Sequence, residues 1–268
     1  MKKILKIATA LALTISCAVG AAACDLFEGN THSNLTKEGW EEIVEYAENL
    51  KTYRVICTWE YGGDLYSQTY ESDIERPQPR LHYSMTSNLR GTITDEYLEM
   101  DADGDTFHYA WEHNDEITRW TKWNETPSEG DKNAELINFQ NKYDTRKSML
   151  GYKYYVEGNT EGIGLKGLYD HLTYSRGLWV GDMEFEFSGA SHQCSVEVEN
   201  MPDSIESFRA NKNGLLFRLK LSTTINGELH KWIYDIQNTT SGFITTLPAN
   251  AEFVTKPEYP DIDWPQIP

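Results

Sequence analysis

Apolar residues recur at a helical period near the start of the polar part of the chain. Between residues 35 and 50 they are spaced by three and four positions, so they fall on one side of a helix. These positions are Trp40, Ile43, Val44, Ala47 and Leu50. Thr36 precedes them as a candidate N-cap, and the pattern predicts one amphipathic helix packed on a sheet.

Beyond Leu50 the period changes to two, which is typical of half-buried strands. Apolar residues alternate with polar ones over 53–61, and Gly62-Gly63 then turns the chain back. Further strands are predicted over 65–70, 81–85, 92–100, 107–111 and 117–123, with Asp103-Gly104 as a second hairpin turn.

The middle of the chain has weaker signals than its last third. Residues 133–143 and 165–174 have helical patterns, 152–156 is a short strand candidate, and the glycine-rich stretch 158–181 is otherwise unassigned. The last third predicts strands over 183–187, 194–198, 215–221 and 232–236, with Asn213-Gly214 and Asn226-Gly227 as turns. This alternation is that of an antiparallel meander with one apolar face.

Many one-sided strands and few helices predict the fold class. The chain is expected to be a β-rich α+β protein with a curved antiparallel sheet, a half-barrel wrapped partly around one or two helices. If the helices do not fill the concave face, it forms a cavity for an apolar ligand. The candidate lining residues are Trp40, Trp59, Tyr109, Trp111, Phe217, Leu219, Trp232 and Tyr234.

The first 23 residues have the pattern of an export signal. Three lysines precede a short apolar run, and Ala21-Ala22-Ala23 supplies small residues before Cys24. This end resembles the lipobox of bacterial lipoproteins, in which the cysteine becomes the acylated first residue, although Ala21 stands where leucine is favoured. Cleavage before Cys17 and ordinary secretion after Ala23 are the alternatives. Residues 24–34 are then a lipidated tether to the outer face of the cell membrane.

Charge excludes one class of partner. The chain has 24 basic and 42 acidic residues and a net charge of −18, whereas nucleic-acid binding needs a basic surface. Removal of residues 1–23 removes three lysines and no acid, which leaves 21 basic residues and a net charge of −21. Anionic lipid repels such a body, so the acyl chains and not the surface charge would hold it to the membrane.

The order of elements resembles the bacterial lipoprotein-carrier superfamily, the LolA/LppX-like half-barrels. The resemblance is carried by the helix from Trp40 to Leu50, the strand that follows at once, and the segments Phe107-His108-Tyr109 and Trp120-Thr121-Lys122-Trp123. A final strand running into Ile244-Thr245-Thr246-Leu247-Pro248 also fits. The resemblance covers residues 35–254 and is followed by a proline-rich tail over 255–268. The resemblance implies an apolar, lipid-like ligand bound in the half-barrel. Separately, the chain is expected to be a monomer without a cofactor.

Three further features each have two interpretations. The acids of Asp101 to Asp105 with Glu112 partly match a calcium loop, but an Asp-Gly hairpin turn explains them without metal, and the histidines have no metal spacing. Cys57 and Cys194 either form one disulfide or remain two buried thiols. Trp120 and Trp123 either pack within the sheet or stack on a sugar ring or an apolar ligand.

Three hypotheses about function follow. The first is a non-enzymatic, lipid-anchored envelope protein that binds an apolar ligand in the half-barrel. The second is a surface module that binds glycan or protein through exposed aromatic residues. The third is an envelope hydrolase with a pair of carboxylates in a cleft, for which no motif of the sequence gives support.

Overall fold

A computed structural model of the chain describes residues 33–113, 117–125, 131, 133–156, 161–187, 190–238 and 247–257. Within this part the chain forms one open, curved sheet of 13 strands. The predicted half-barrel class of β-rich α+β fold is therefore confirmed. No helix within these ranges has both the length and the apolarity to cross a bilayer.

The strands have the following bounds in chain order: β1 Thr52–Tyr61, β2 Asp64–Asp73, β3 Arg80–Ser87, β4 Gly91–Met100, β5 Thr106–His113, β6 Thr118–Asn124, β7 Tyr154–Tyr155, β8 Thr173–Ser175, β9 Leu178–Phe187, β10 Ala190–Glu199, β11 Leu216–Ile225, β12 Glu228–Asn238 and β13 Glu252–Phe253. The helices are α1 Lys37–Glu48, α2 Ala134–Tyr143, α3 Thr145–Gly151 and α4 Ile205–Asn211, with 3₁₀ turns at Leu165–His171 and Lys212–Gly214.

The first strand lies inside the sheet and not at its edge. The order is β13-β6-β5-β4-β3-β2-β1-β12-β11-β10-β9-β7, with β8 paired to β9. The pairs are antiparallel apart from β13 on β6. Neighbouring hairpins β3–β4, β1–β2 and β11–β12 all turn at the same end of the sheet, which we call the distal end.

Alternation along each strand gives the sheet an apolar inner face and a charged outer face. In β1 the inner residues include Tyr53, Val55 and Cys57, none of which has exposed surface. On the outer face Arg54 pairs with Glu71 of β2, and Arg80 of β3 pairs with Glu99 of β4 at 2.6 Å. The apolar face needs a cover, which the helices provide at the end opposite the distal end.

Helix α1 contributes its apolar face to this cover, as its spacing predicts. Thr36 caps it by accepting a hydrogen bond from the Gly39 N–H at 3.2 Å. Trp40 is fully buried, packs edge-on against Trp179 and donates its indole N–H to the Leu165 carbonyl at 3.0 Å. The helix and the inner face thus form one continuous core.

A buried cation fastens the end of α1 to the sheet. Arg146 of α3 donates hydrogen bonds to the carbonyls of Ala47 and Leu50, at 3.2 and 2.7 Å. It also donates to Asp144 at 3.2 Å and lies 3.9 Å from the ring centroid of Tyr53, whose hydroxyl donates to Asp144 at 2.7 Å. Arg146 thereby supplies partners for carbonyls that a helix end leaves unpaired.

Some predicted elements differ from the structure. Asn213-Gly214 is not a hairpin turn, because β10 and β11 are joined by α4 and a 3₁₀ turn. Helices α3 and α4 were missed, since seven residues are too few for a clear period. The predicted strand at 244–248 lies mostly outside the described residues, as do Cys24 and most of the proline-rich tail.

Candidate ligand-binding site

The inner face changes from closed core to open surface along three cross-strand rows. The deep row, the middle row and the mouth row run across β12, β1, β2 and, for the first two, β3. Their members are Ile236, Val55, Tyr70 and Tyr83 in the deep row, Tyr234, Cys57, Gln68 and Met85 in the middle row, and Trp232, Trp59 and Tyr66 in the mouth row. The mouth row lies nearest the distal end.

The mouth row presents aromatic surface that the protein does not cover. Trp59 and Tyr66 stack with their ring centroids 5.3 Å apart and their planes 12° from parallel, and both are partly exposed. Trp232 stands beside Trp59 and is 3% exposed. Tyr61 continues the same side of β1 and is 67% exposed. An apolar molecule can therefore contact two rings at this end without displacing the core.

Gln68 brings a polar group into the apolar surroundings of the middle row. Its residue is only 6% exposed, and its amide nitrogen donates to the Tyr83 hydroxyl at 2.9 Å. Its amide oxygen is buried and has no hydrogen-bond partner. Such an orphaned acceptor costs about 1–3 kcal/mol.

The other polar groups of the middle row are neutral. The Tyr234 and Tyr152 hydroxyls are 2.8 Å apart, and Cys57 lies opposite Tyr234 in the sheet. Burial raises the pKa of the Cys57 thiol to about 12 and that of Tyr152 to about 12. Burial also raises the pKa of Tyr234 well above its ordinary value. These groups stay protonated at neutral pH, so the row favours an uncharged ligand.

Three of the predicted lining residues are fully buried in the core. Trp40, Phe217 and Leu219 have no exposed surface. The prediction that Trp40 and Phe217 line a cavity is wrong, because α1 and the connections around it fill the concave face there. Leu219 is equally covered, but it pairs with Tyr234 beside the middle row.

Two more predicted residues face the opposite side of the sheet. In β5 the inner residue is His108, which stacks on Trp123 and contacts Phe139 of α2. Tyr109 and Trp111 therefore point outward, and their assignment to the ligand cavity is wrong. Both parities of β5 carry large rings, so alternation alone did not distinguish its faces. Trp59, Trp232 and Tyr234 are the predicted residues that the structure brings together at the mouth and middle rows.

Outward-facing rings form an outer aromatic patch of Tyr97, Tyr109, Trp111 and Trp120. Trp120 lies 5.4 Å from Trp111 and 5.6 Å from Tyr97 between ring centroids. Trp123 is on the inner face and is 1% exposed. The proposed pairing of Trp120 with Trp123 for a sugar is therefore wrong, because residues three apart on a strand face opposite sides.

A buried histidine borders the outer aromatic patch. His82 lies between Glu71 and Asp95, at 2.6 and 2.8 Å, and its ring stacks on Tyr97 at 4.2 Å. Burial opposes the charged form, but the hydrogen bonds to Asp95 and Glu71 outweigh it and raise the pKa of His82. The imidazolium thus joins two carboxylates across β2, β3 and β4.

The two cysteines are separate, buried thiols. Cys57 is in β1 and Cys194 is in β10, with β12 and β11 between them. Three strand spacings amount to roughly 14 Å along the sheet, whereas a disulfide needs Cα atoms within about 7 Å. The disulfide alternative is therefore wrong, and the thiols act as small core residues.

Inner-face carboxylates are tied into packing contacts. Glu96 accepts hydrogen bonds from His108 and from the Tyr143 hydroxyl, both at 2.9 Å. Burial acts to raise the pKa of Glu96, but these hydrogen bonds outweigh it and lower the pKa. The Asp101 carboxylate accepts the N–H groups of Asp103 and Asp105, as the hairpin interpretation predicts. Among the described residues no cluster of His, Cys, Asp and Glu has the arrangement of a metal site.

Sequence reasoning missed three residues of the site. Tyr66 and Gln68 lie on the inner parity of β2, and Tyr152 follows α3. A glutamine among apolar residues on the covered side of a strand is itself a signal, since buried polar groups need a partner. Tyr152 reaches Tyr234 through a connection that no strand period encodes.

Comparisons with known proteins do not identify the chain. No family model matches it, and no curated protein matches it. Among solved structures it is similar to the crystal structure of the di-domain ARO/CYC StfQ from the steffimycin biosynthetic pathway, at 9% identity over 78% of this chain and 83% of that chain, with a TM-score of 0.15. Such a likeness carries no argument about function. The open curved sheet agrees with the lipoprotein-carrier resemblance, and membership of that superfamily stays a prediction.

Proposed function

We propose that this chain is a cell-envelope protein that binds an uncharged, apolar ligand at the mouth row of its half-barrel. In this proposal it is held to the membrane by an acylated Cys24 and carries out no reaction. The support comes from the export-type start of the chain, the open curved sheet and the partly exposed rings at its distal end.

The observation that carries the proposal is the orphaned amide oxygen of Gln68 behind the Trp59–Tyr66 stack. A ligand that covers both rings would bury an apolar area comparable to that of an aromatic side chain at a binding interface. If it also has one N–H or O–H group, it can donate to Gln68 and remove the cost of the unpaired acceptor. The expected ligand is therefore a mostly apolar molecule with one neutral hydrogen-bond donor.

The filled end of the inner face limits how deep the ligand goes. Val55, Tyr70 and Ile236 of the deep row and Cys57 of the middle row have no exposed surface, so the ligand is expected to end at Gln68, which is 6% exposed. The Cys57 thiol and the Tyr234 hydroxyl lie at this depth. Both are neutral because burial raises their pKa values. A ligand with a charged group at its buried end would lose its hydration without gaining a partner.

Two fluorescent probes test the site. Phenylnaphthylamine has an N–H group and diphenylhexatriene has none, and both are uncharged and apolar. We expect both to bind the wild-type chain. Trp59→Ala should weaken both by about tenfold, which corresponds to ~1.4 kcal/mol of lost ring contact. Gln68→Met should weaken phenylnaphthylamine by about tenfold and leave diphenylhexatriene unchanged.

Trp111→Ala is the matched control, since it removes a half-buried tryptophan from the outer face of the same sheet. It should leave both affinities unchanged. The proposal fails if the wild-type chain binds neither probe, or if Trp111→Ala reduces binding as much as Trp59→Ala does.

The anchor is tested separately by intact-mass measurement of the protein extracted from membranes. The expected chain begins at Cys24 and carries acyl mass, and Cys24→Ser should release the protein from the membrane fraction. A chain that begins elsewhere, or an unmodified amino terminus, would contradict the anchor and leave the ligand site standing.

The outer aromatic patch favours a second candidate function, the binding of a carbohydrate chain. Trp111 and Trp120 are partly exposed on the uncovered side of the sheet, and Lys122 lies 5.7 Å from the ring centroid of Tyr109 beside them. Sugar rings pack their C–H faces on such aromatic surfaces. A glycan array should then lose its signal with Trp120→Ala and keep it with Trp59→Ala. An array without any wild-type signal would remove this candidate.

A further inference from the structure

Large apolar side chains are exposed at the tips of three neighbouring hairpins. We call them the tip row: Tyr61 is 67% exposed, Leu65 46%, Leu89 77% and Leu229 60%. They lie at the distal ends of the β1–β2, β3–β4 and β11–β12 hairpins. The strand order β4-β3-β2-β1-β12-β11 makes these hairpins adjacent, so the row, from the β3–β4 turn to β12, spans between three and four strand spacings, roughly 17 Å along the sheet.

Leu89 is held in this position by a built turn. Its backbone N–H donates to the Asp64 carboxylate and to the Ser87 hydroxyl, each at 3.2 Å. The Asn88 N–H donates to the carbonyl of Leu65 at 3.0 Å, which ties the β3–β4 turn to the start of β2. Two exposed leucines on different hairpins are thereby fixed next to each other. Isolated exposed apolar residues are ordinary, but a fixed row at one end of a molecule marks an interaction site.

The side chains of the tip row are uncharged, although the molecule is acidic. The hairpin ends, residues 60–65, 87–91 and 225–231, carry Glu60, Asp64 and Glu228 against Arg90 and Lys231, a net charge of −1. A neutral, apolar row matches a surface of low charge. Four separate side chains also offer far less than the ~800 Å² per partner of a stable protein interface.

We propose that the tip row inserts into the headgroup region of an uncharged or zwitterionic lipid surface. Apolar side chains at one end of a protein bind there in proportion to the apolar area they bury. Insertion places the mouth row, which includes Trp59 and lies just behind the tips, at the lipid surface. The further step, passage of the ligand between lipid and mouth row without crossing water, rests on the proposed function.

The experiment uses the chain from residue 24 with Cys24→Ser, which has no acyl anchor and keeps every described residue. It is sedimented with phosphatidylcholine vesicles and with vesicles that also contain phosphatidylglycerol. The wild-type sequence should partition onto phosphatidylcholine and bind less with phosphatidylglycerol present, because anionic lipid repels the acidic body. The double variant Leu89→Ser and Leu229→Ser should reduce partitioning by at least tenfold.

The matched control is Ile137→Ser with Phe253→Ser, which removes two apolar side chains of 48% and 61% exposure from other parts of the surface. It should partition like the wild type. The proposal is overturned if the wild type does not bind phosphatidylcholine, or if both double variants lose binding equally. It is also overturned if the tip variant only abolishes self-association in sedimentation without vesicles, since the row would then join two copies of the chain.

Probe binding without vesicles separates the two proposals. The tip variant should bind phenylnaphthylamine like the wild type, because Leu89 and Leu229 are not in the mouth row. If the wild type binds vesicles but no probe, the ligand site fails and lipid docking stands. If it binds the probe but no vesicles, lipid docking fails and the ligand site stands.

Discussion

Replacement of the buried Arg146 should strongly destabilise the fold. Arg146 is 7% exposed, and its partner Asp144 has a side chain with no exposed surface. Among the described residues, Arg146→Met leaves that carboxylate with the Tyr53 hydroxyl as its remaining side-chain donor. It also removes the Arg146 donor from the carbonyls of Ala47 and Leu50.

The magnitude follows from these losses. Breaking a buried ion pair by removing one partner costs about 3–5 kcal/mol, and the guanidinium lying 3.9 Å from the Tyr53 ring centroid adds a cation–π contribution of about 1 kcal/mol. The side chain is nearly covered, so little of this is lost to solvent screening. We expect Arg146→Met to lower the free energy of unfolding by about 4 kcal/mol.

Urea unfolding followed by tryptophan fluorescence measures the effect, and the midpoint should fall by roughly 1 M or more. Arg146→Lys keeps the charge but not the planar guanidinium that reaches two carbonyls. Its urea midpoint should therefore lie between those of the wild type and Arg146→Met. Arg209→Met is the control, because it removes an arginine whose pair with Glu42 is exposed. An Arg146→Met midpoint as close to the wild type as that of Arg209→Met would refute the reasoning.

Three further outcomes are expected. His82→Gln should destabilise the fold most at low pH. Because the pKa of His82 is raised on folding, the stability that His82 contributes is present below its unfolded-state pKa and is lost as pH rises through its folded-state pKa. The urea midpoints of wild type and variant should therefore converge as pH rises. In the chain from residue 24 with Cys24→Ser, Cys57 and Cys194 should resist a thiol reagent at pH 8 when the protein is folded. Both should react in urea without reductant, and a failure of both to react there would contradict the free thiols. Phe217→Ala should cost about 3–5 kcal/mol of stability while the folded protein keeps its affinity for phenylnaphthylamine, and a selective loss of probe binding would place Phe217 in the site.

The sheet could be predicted from sequence because its signals are local. The alternation in β1, β2 and the C-terminal meander is set by residue parity, and the helix stripe of α1 is set by a single period. Which strands are neighbours is a different matter. The pairing of β1 with β12 depends on contacts between residues 53–59 and 232–238, and no local pattern encodes it.

The candidate site was only partly predictable for a related reason. Trp59, Trp232 and Tyr234 have the inner parity, and the sequence places them correctly on the apolar side. Phe217 has the same parity and lies in the packed core, because the depth of a residue along the inner face depends on where α1 ends. Gln68 became informative only once its neighbours were known to leave its oxygen without a partner.

The central position of β1 has a consequence for how the protein is made. The strand is among the first parts of the described body to emerge, yet one of its edges stays unpaired until β12, near the end of the chain, is available. Pairings so distant in sequence raise the contact order and slow folding. The chain therefore cannot complete its sheet until β12 has been synthesised.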